Sequence, residues 1–159
     1  QLSDGSHIYK GVDGVVSKGI EIEVSGQVTN DTTLIFNLTH FNAKDQNGDE
    51  YNTTAARTTA SIFTKYDYND FTFGGGVDYN SKTYIDTKVA DGSYKNGRIT
   101  QEAYFLVNLM GAYKINKNLS AQVNVSNLFD NKYYEAMTTD DKILYGSPRT
   151  FTAKLTYSF

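Results

Sequence analysis

The chain has 159 residues and a formal net charge of −3, so its size predicts one domain and its charge gives no reason to expect a nucleic-acid partner. It contains 13 Tyr and 9 Phe but no Trp, no Cys and one Pro, which is typical of β structure and not of a disulfide scaffold. No apolar run is long enough for a membrane-spanning helix, but barrel strands remain possible because they present only alternate residues to lipid.

In chain order, alternating apolar and polar residues predict an all-β chain of antiparallel strands. Each predicted strand has about the 9–11 residues that a tilted strand needs to cross a bilayer. The predicted strands, seven in all, cover 16–28, 33–44, 57–66, 71–82, 102–114, 119–128 and 148–159.

The connections between these strands alternate in length. Short turns rich in Asn and Asp follow the first, third and fifth strands, at 29–32, 67–70 and 115–118. Long hydrophilic loops follow the second, fourth and sixth strands, at 45–56, 83–101 and 129–147. Short turns on one rim and long loops on the other are typical of an outer-membrane barrel.

Charged residues within the strands fall on one parity. If Ile20, Ile22 and Val24 face outward, then Glu21 and Glu23 face inward. A barrel should collect its charges on the lumen side, because a Lys or Arg at the bilayer midplane costs about 2–4 kcal/mol. The same rule predicts inward positions for Lys65, Asp78, Glu102, Lys114 and Lys154.

Two structural questions stay open at this level. In the second strand His40 shares the parity of Leu34, while Ile35 and Phe41 occupy the other parity, so its register is undecided. We interpret His40 as a rim residue and not as a ligand-binding group. A soluble antiparallel sandwich with one face in water would explain the alternation equally well but fits the loop asymmetry less well.

The sequence contains no recognisable active site, and we predict that the protein is not an enzyme. His7 and His40 are the only imidazoles, there is no thiol, and no catalytic triad or metal-ligand spacing is present. The acidic stretch Asp45–Glu50 has alternating oxygen ligands around a glycine but lacks the EF-hand spacing, so we interpret it as a solvated loop tip. No metal and no cofactor are predicted.

Two stretches resemble a known family. The segment Val125–Tyr134, followed by Tyr145–Arg149 and a last strand ending in Phe159, resembles the C-terminal end of TonB-dependent outer-membrane receptors. The segment Ser17–Gly26 resembles a strand of these receptors in which alternating aliphatic and Glu residues lie between glycines. The resemblance runs from Gly14 to Phe159, and it is greatest to the ferric-siderophore receptors.

The resemblance implies that these residues are about seven C-terminal strands of a larger barrel, since such receptors have 22 strands around a plugged lumen. Residues 1–15 would then be the end of an extracellular loop and 16–159 the C-terminal portion of the β-barrel domain. The plug domain and the short segment that contacts TonB are not among these residues.

The implied function is import. A receptor of this family lies in the bacterial outer membrane, binds a ferric siderophore and imports it with energy from TonB. The implied partners are outer-membrane lipid, the ferric siderophore, the TonB complex through an N-terminal part, and the barrel assembly machinery. The alternative is a small self-contained barrel of eight strands, with residues near 6–11 as the eighth, in a structural or adhesive role.

Candidate site residues follow from the implied ligand. A ferric siderophore is a bulky and often anionic chelate, which suits aromatic faces and Arg donors in the long loops and at their lumenal bases. The candidate ligand-binding residues are Tyr51, Arg57, Tyr84, Tyr94, Arg98 and Tyr104.

Two further roles are predicted from the C-terminal segment. The resemblance implies an assembly signal made of Leu155, Tyr157 and Phe159. We interpret Asn127–Tyr134 as structural and not as a ligand contact, with the rings of Tyr133 and Tyr134 in the membrane interface belt.

Overall fold

The computed structural model describes residues 14–87, 97–138 and 142–159, and within these ranges the chain forms β-strands and no helix. No helix that could span a bilayer is found among the described residues. The strands are β1 (Val16–Gln27), β2 (Thr32–Lys44), β3 (Thr58–Tyr68), β4 (Phe71–Asn80), β5 (Thr83–Thr87), β6 (Gly97–Gln101), β7 (Tyr104–Lys114), β8 (Leu119–Ser126), β9 (Tyr134–Met137), β10 (Ile143–Tyr145) and β11 (Thr150–Tyr157).

One antiparallel sheet contains the seven long strands, in the order β1-β2-β3-β4-β7-β8-β11. All seven predicted strands are confirmed. Every pairing within this sheet continues without a register shift, for example Val16↔Lys44 through Gln27↔Thr33. Strands β5 and β6 form one separate hairpin, and β9 and β10 form another.

The two hairpins correct the prediction of plain loops at 83–101 and 129–147. Thr83–Thr87 pairs with Gly97–Gln101, and Tyr134–Met137 pairs with Ile143–Tyr145. Each hairpin strand has only three to five residues, which is too short for a clear period-two pattern in a polar segment.

The register divides the sheet into two faces. Directly paired residues lie on the same side of a sheet, so the pairs Ile22↔Leu38, Phe36↔Ile62, Ile62↔Val77 and Val77↔Val107 define one continuous apolar face. We call the opposite side the polar face. It includes Glu23, which pairs with Asn37.

The register also settles the second strand. His40 pairs with Ile20 and Leu34 pairs with Gly26, so both lie on the apolar face. Ile35 and Phe41 therefore lie on the polar face.

Within the seven strands of the sheet, nearly all charged residues lie on the polar face, which confirms the predicted parity. Glu102 is the exception to the prediction, because it lies in the connection before β7 and its carboxylate is 2.7 Å from Lys82 Nζ. The charged residues of the polar face are Glu21, Glu23, Lys65, Asp67, Asp78, Lys114 and Lys154.

Connections of different length lie at the two rims of the sheet. The short-turn rim carries the connections 28–31, 69–70 and 115–118, and the long-loop rim carries 45–57, 81–103 and 127–149. Asn69 has a φ of 52° in its two-residue turn, a backbone conformation that Asn tolerates better than most residues.

Aromatic side chains gather on the apolar face near both rims. The rings of Phe71 and Tyr113 stack with centroids 4.6 Å apart at the short-turn rim. Aromatic girdles at both interfaces are typical of transmembrane barrels. At the short-turn rim the aromatic residues are Tyr66, Tyr68, Phe71, Phe73, Tyr113 and Tyr157, and near the long-loop rim they are Tyr79, Phe105 and Phe151.

The sheet is a single layer, so the alternative of a soluble sandwich is wrong. Among the described residues the only buried hydrophobic side chains are Ala43, Ile85 and Met137. Leu155 on the apolar face is 73% exposed. A sandwich would bury one face of each sheet against the other.

The predicted domain boundary at residue 16 coincides with the start of β1 at Val16. Residues 1–13, which include His7 and the proposed eighth strand near 6–11, lie outside the described residues. The assignment of 1–15 to an extracellular loop therefore stays a prediction.

Candidate functional site

The candidate ligand-binding residues with described positions all lie at the long-loop rim. Tyr51 and Arg57 belong to the β2–β3 connection, Tyr84 and Arg98 lie on the β5–β6 hairpin, and Tyr104 begins β7. Tyr94 lies outside the described residues. A single edge of the sheet therefore brings together residues that are up to 53 positions apart in the sequence.

Arg57 organises the β2–β3 connection. Its guanidinium forms an ion pair with Glu50 and donates to the Tyr51 carbonyl (3.2 Å) and to Asn42 Oδ1 (3.4 Å). Tyr51 is 39% exposed. Arg57 thus holds the backbone of the loop, and Tyr51 presents its side chain to solvent.

The β5–β6 hairpin carries a stacked cation. The guanidinium of Arg98 lies 3.9 Å from the ring centroid of Tyr84, a cation–π distance. Arg98 Nε donates to Asp86 Oδ1 (2.7 Å) and Arg98 Nη2 donates to Asp86 Oδ2 (3.3 Å). The hydrogen bond to Asp86 raises the pKa of Arg98 further above its ordinary value, so the guanidinium stays charged at every physiological pH.

Asn52 joins the β2–β3 connection to the hairpin. Its Nδ2 donates to the Tyr84 carbonyl (2.9 Å), and its Oδ1 accepts from the backbone N–H of Thr54 (3.0 Å). Thr54 has a φ of 59°, an uncommon conformation for a β-branched residue. Tyr51 and Tyr84 therefore belong to one connected unit.

Tyr104 packs against the β8–β11 connection. Its ring stacks on that of Tyr133 with centroids 4.6 Å apart, and Tyr104 pairs with Asn80 on the polar face. Tyr133 is therefore not in an interface belt on the apolar face, which corrects that prediction. Gly146 makes this packing possible, since a Cβ there would lie 2.0 Å from Tyr133 Cζ.

Asn127 anchors the same connection. It is 3% exposed, and its amide donates to the carbonyls of Asn131 (2.9 Å) and Ser147 (3.1 Å) while accepting from the Asn131 N–H (2.9 Å). Its own N–H donates to Asn108 Oδ1 (3.1 Å). The interpretation of this segment as structural is supported, because the Asn127 side chain bonds to backbone groups on both sides of the connection.

The last strand carries the predicted assembly signal. Leu155 and Tyr157 pair with Ala121 and Leu119 on the apolar face. The ring of Phe159 meets that of Tyr157 edge to face, with centroids 5.3 Å apart. The three side chains are highly exposed, and their role in assembly stays a prediction.

His40 and the acidic loop at 45–50 make local hydrogen bonds. His40 is exposed at the long-loop end of β2, with Nδ1 2.8 Å from Thr58 Oγ1, which agrees with a rim position. In the acidic loop Asp45 Oδ1 accepts from the N–H groups of Asn47 (2.9 Å) and Asp49 (3.0 Å). No cluster of metal-ligating side chains occurs in the part of the chain that the structure describes.

Sequence reasoning missed Asp86 and Asn52 as organisers of the rim. The pairing Asp86↔Arg98 depends on the hairpin register. The alternation of Tyr84, Ile85 and Asp86 was a weak signal for that hairpin. The contact between Asn52 and Tyr84 depends on tertiary structure and has no local signal.

Comparisons with known proteins cover almost the whole chain. Residues 1–128 match the family described as TonB dependent receptor-like, beta-barrel. The ferric-pyoverdine 358 receptor of Pseudomonas putida is 33% identical over 161 residues, which cover 99% of this chain and 19% of that receptor. The ferripyoverdine receptor of Pseudomonas aeruginosa is 31% identical over 163 residues, which cover 97% of this chain and 19% of the receptor.

A solved structure gives the same result. The crystal structure of the P. aeruginosa ferripyoverdine receptor bound to ferripyoverdine matches with a TM-score of 0.84 and 29% identity, over 91% of this chain and 20% of that one. This chain spans about a fifth of the length of the curated relatives it matches.

Proposed function

The chain belongs to the TonB-dependent receptor β-barrel family, and we propose that the complete protein is a receptor that binds a ferric siderophore and imports it with energy from TonB. The observation that carries this proposal is the similarity to two ferric-pyoverdine receptors along nearly the whole chain. The fold is that of an outer-membrane barrel. Its apolar face is therefore the lipid side and its polar face the lumen side.

The long-loop rim then lies outside the cell, because outer-membrane barrels have short periplasmic turns and longer extracellular loops. This orientation supports a binding role for the rim, because a ligand that approaches from outside the cell would meet the side that carries Tyr51, Tyr84 and Arg98. Tyr104 lies lower, at the lumenal base of the same rim.

The chemistry of the rim suits a bulky anionic chelate. The Tyr84 ring and the Arg98 guanidinium offer a flat face and a charge that is 55% exposed. We assign ligand contacts to Tyr51, Tyr84, Tyr94, Arg98 and Tyr104, and to Arg57 the additional task of holding the loop that carries Tyr51. Binding and transport require no bond to be made or broken, so this proposal involves no nucleophile or general base.

Uptake of labelled iron tests the proposal. The complete protein is expressed in a host that lacks its own siderophore receptors, with ferric pyoverdines of several peptide types and one ferric catecholate supplied separately. We expect uptake of at least one ferric siderophore, and loss of that uptake when TonB is deleted.

A receptor that reaches the outer membrane at normal level but binds none of these chelates would contradict the siderophore assignment. Binding of a chelate together with uptake that continues without TonB would contradict the energy source alone.

A further inference from the structure

Two lysines depart from the parity that the other charged residues of the sheet obey. Lys18 pairs with Asn42, and Lys44 pairs with Val16, so both lysines lie on the apolar face. Within the seven described strands this face carries no carboxylate and no other Lys or Arg. Both lysines lie in adjacent strands at the same rim, the long-loop rim.

The two ammonium groups can reach one anion. Lys18 and Lys44 are diagonal neighbours in the β1–β2 ladder, and such neighbours lie about 7–8 Å apart, within reach of long side chains. Both side chains are exposed. His40 lies next along the same face, beside Ile20. Arg57 donates to Asn42 and also forms an ion pair with Glu50, the residue that pairs with Lys44 beyond the end of β2.

An apolar strip continues from the lysines toward the bilayer centre. Below Lys18 the apolar face of β1 carries Ile20, Ile22 and Val24, and β2 carries Leu38 and then Phe36. This face does not depend on which strand pairs with the free edge of β1, because a neighbouring strand adds hydrogen bonds along the edge and leaves the face open.

We propose that Lys18 and Lys44, with His40 beside them, bind the phosphorylated headgroup of a glycolipid in the outer leaflet, whose acyl chains lie along this strip. The cations stand at the level of the outer headgroups, and the hydrocarbon below meets Ile and Leu side chains. The seven strands contribute no carboxylate to this face. Glu50, which pairs with Lys44 just beyond the end of β2, forms an ion pair with Arg57, so the two lysines leave an excess of positive charge that is complementary to an anion. The site rests on the barrel orientation and not on siderophore import.

Simple snorkelling is the alternative for the two lysines. Lysines near the ends of spanning segments extend to the interface whatever the headgroup is. Snorkelling predicts no preference between phosphorylated and dephosphorylated lipid. The proposed site predicts a strong preference, which is lost with the lysines.

The test is lipid binding to the complete receptor in detergent, measured by native mass spectrometry. The probes are a diphosphorylated lipid A, its dephosphorylated form and inorganic phosphate. The test variant is Lys18→Gln/Lys44→Gln. The matched control is Lys114→Gln/Lys154→Gln, which removes the same charge from the polar face.

We expect the test variant to bind diphosphorylated lipid A about 30-fold more weakly, since each lysine near anionic lipid contributes about fivefold. The control should bind like the parent. A Lys18→Arg/Lys44→Arg variant keeps both charges and should also bind like the parent, which would show that substitution at these positions does not itself prevent folding. Equal binding by parent and test variant, or equal binding of dephosphorylated lipid, would establish generic snorkelling and overturn the site. Full displacement of the lipid by millimolar inorganic phosphate would show an anion site without lipid specificity and would also overturn it.

Discussion

The β8–β11 and β4–β7 connections leave the same rim and each contains a short hairpin, but they are held in opposite ways. The β8–β11 connection is tied by a buried amide, Asn127, whose hydrogen bonds run to backbone groups. The β4–β7 connection is tied by the exposed ion pair of Asp86 and Arg98 and by the hydrogen bond from Asn52.

This difference separates residues that stabilise the fold from residues that are available to bind a ligand. A buried polar group that loses its hydrogen-bond partners destabilises the fold by its full desolvation penalty. The Asn127 side chain therefore cannot give up its hydrogen bonds without a large cost in stability. Exposed ion pairs contribute little to stability, so Arg98 can exchange Asp86 for an anionic ligand at little cost. The contrast therefore predicts that substitutions in the first connection lower stability, whereas those in the second lower affinity.

The largest expected effect on stability comes from substitution of Asn127. Asn127→Ala in the complete receptor should lower the free energy of unfolding by about 3 kcal/mol, because the buried side chain loses its three hydrogen bonds to the backbone of Asn131 and Ser147, at about 1 kcal/mol each. Urea unfolding in detergent measures this change. Asn127→Gly should cost about 1 kcal/mol less than Asn127→Ala, since the φ of 52° strains alanine but not glycine.

Asn47→Ala is the matched control, because Asn47 is exposed at the tip of the β2–β3 connection. It should change stability by less than about 0.5 kcal/mol. Equal costs at Asn47 and Asn127 would remove the contrast between a buried tie and an exposed loop.

The second effect concerns the contact between Gly146 and Tyr133. Gly146→Ala should lower the free energy of unfolding by about 2 kcal/mol, because the new methyl group overlaps the Tyr133 ring. In a Tyr133→Ala background the same change should be nearly neutral. A double-mutant cycle gives the coupling, and a cost that persists without the ring would refute the contact as its cause.

The third effect is local. Asn52→Ala removes the hydrogen bond to the Tyr84 carbonyl, so amide exchange in β5 should be about fivefold faster, equivalent to about 1 kcal/mol. Hydrogen exchange followed by mass spectrometry measures this rate. Peptides of the β9–β10 hairpin serve as the internal control, and a similar change in both hairpins would show that Asn52 does not act locally.

The smallest effect on stability is expected at Arg98. Arg98→Ala should leave the melting temperature of the receptor unchanged but weaken ferric-siderophore binding on the order of tenfold. Lys82→Ala removes another rim cation, one that is paired with Glu102, and should retain full affinity. Equal losses in both variants would indicate general charge attraction in place of a contact by Arg98.

Most of the seven-stranded sheet could be predicted from the sequence, because long strands carry a strong period-two signal. The second strand was predicted at 33–44 and is Thr32–Lys44. Its register was not predictable, since Ile35 and Phe41 place large apolar side chains on the polar face. Pairing with β1 and β3 decides it, and that information lies outside the strand.

The rim was less predictable because its contacts are long-range. Aromatic and Arg residues identified Tyr84 and Arg98, but their stacking depends on the β5–β6 register. Tyr133 was expected at the lipid interface from its residue type. It stacks on Tyr104 because Gly146, thirteen residues away in the chain, leaves room for its ring.

The unbroken register of the seven-stranded sheet has a mechanical consequence. A bulge would bend a strand and disrupt its ladder locally, and none interrupts these pairings. A force directed along the strands is therefore shared among many hydrogen bonds loaded in shear, and no position in the sheet would stretch before the others. When it is pulled, the seven-stranded sheet behaves as a stiff unit, and elastic compliance is confined to the connections at its rims.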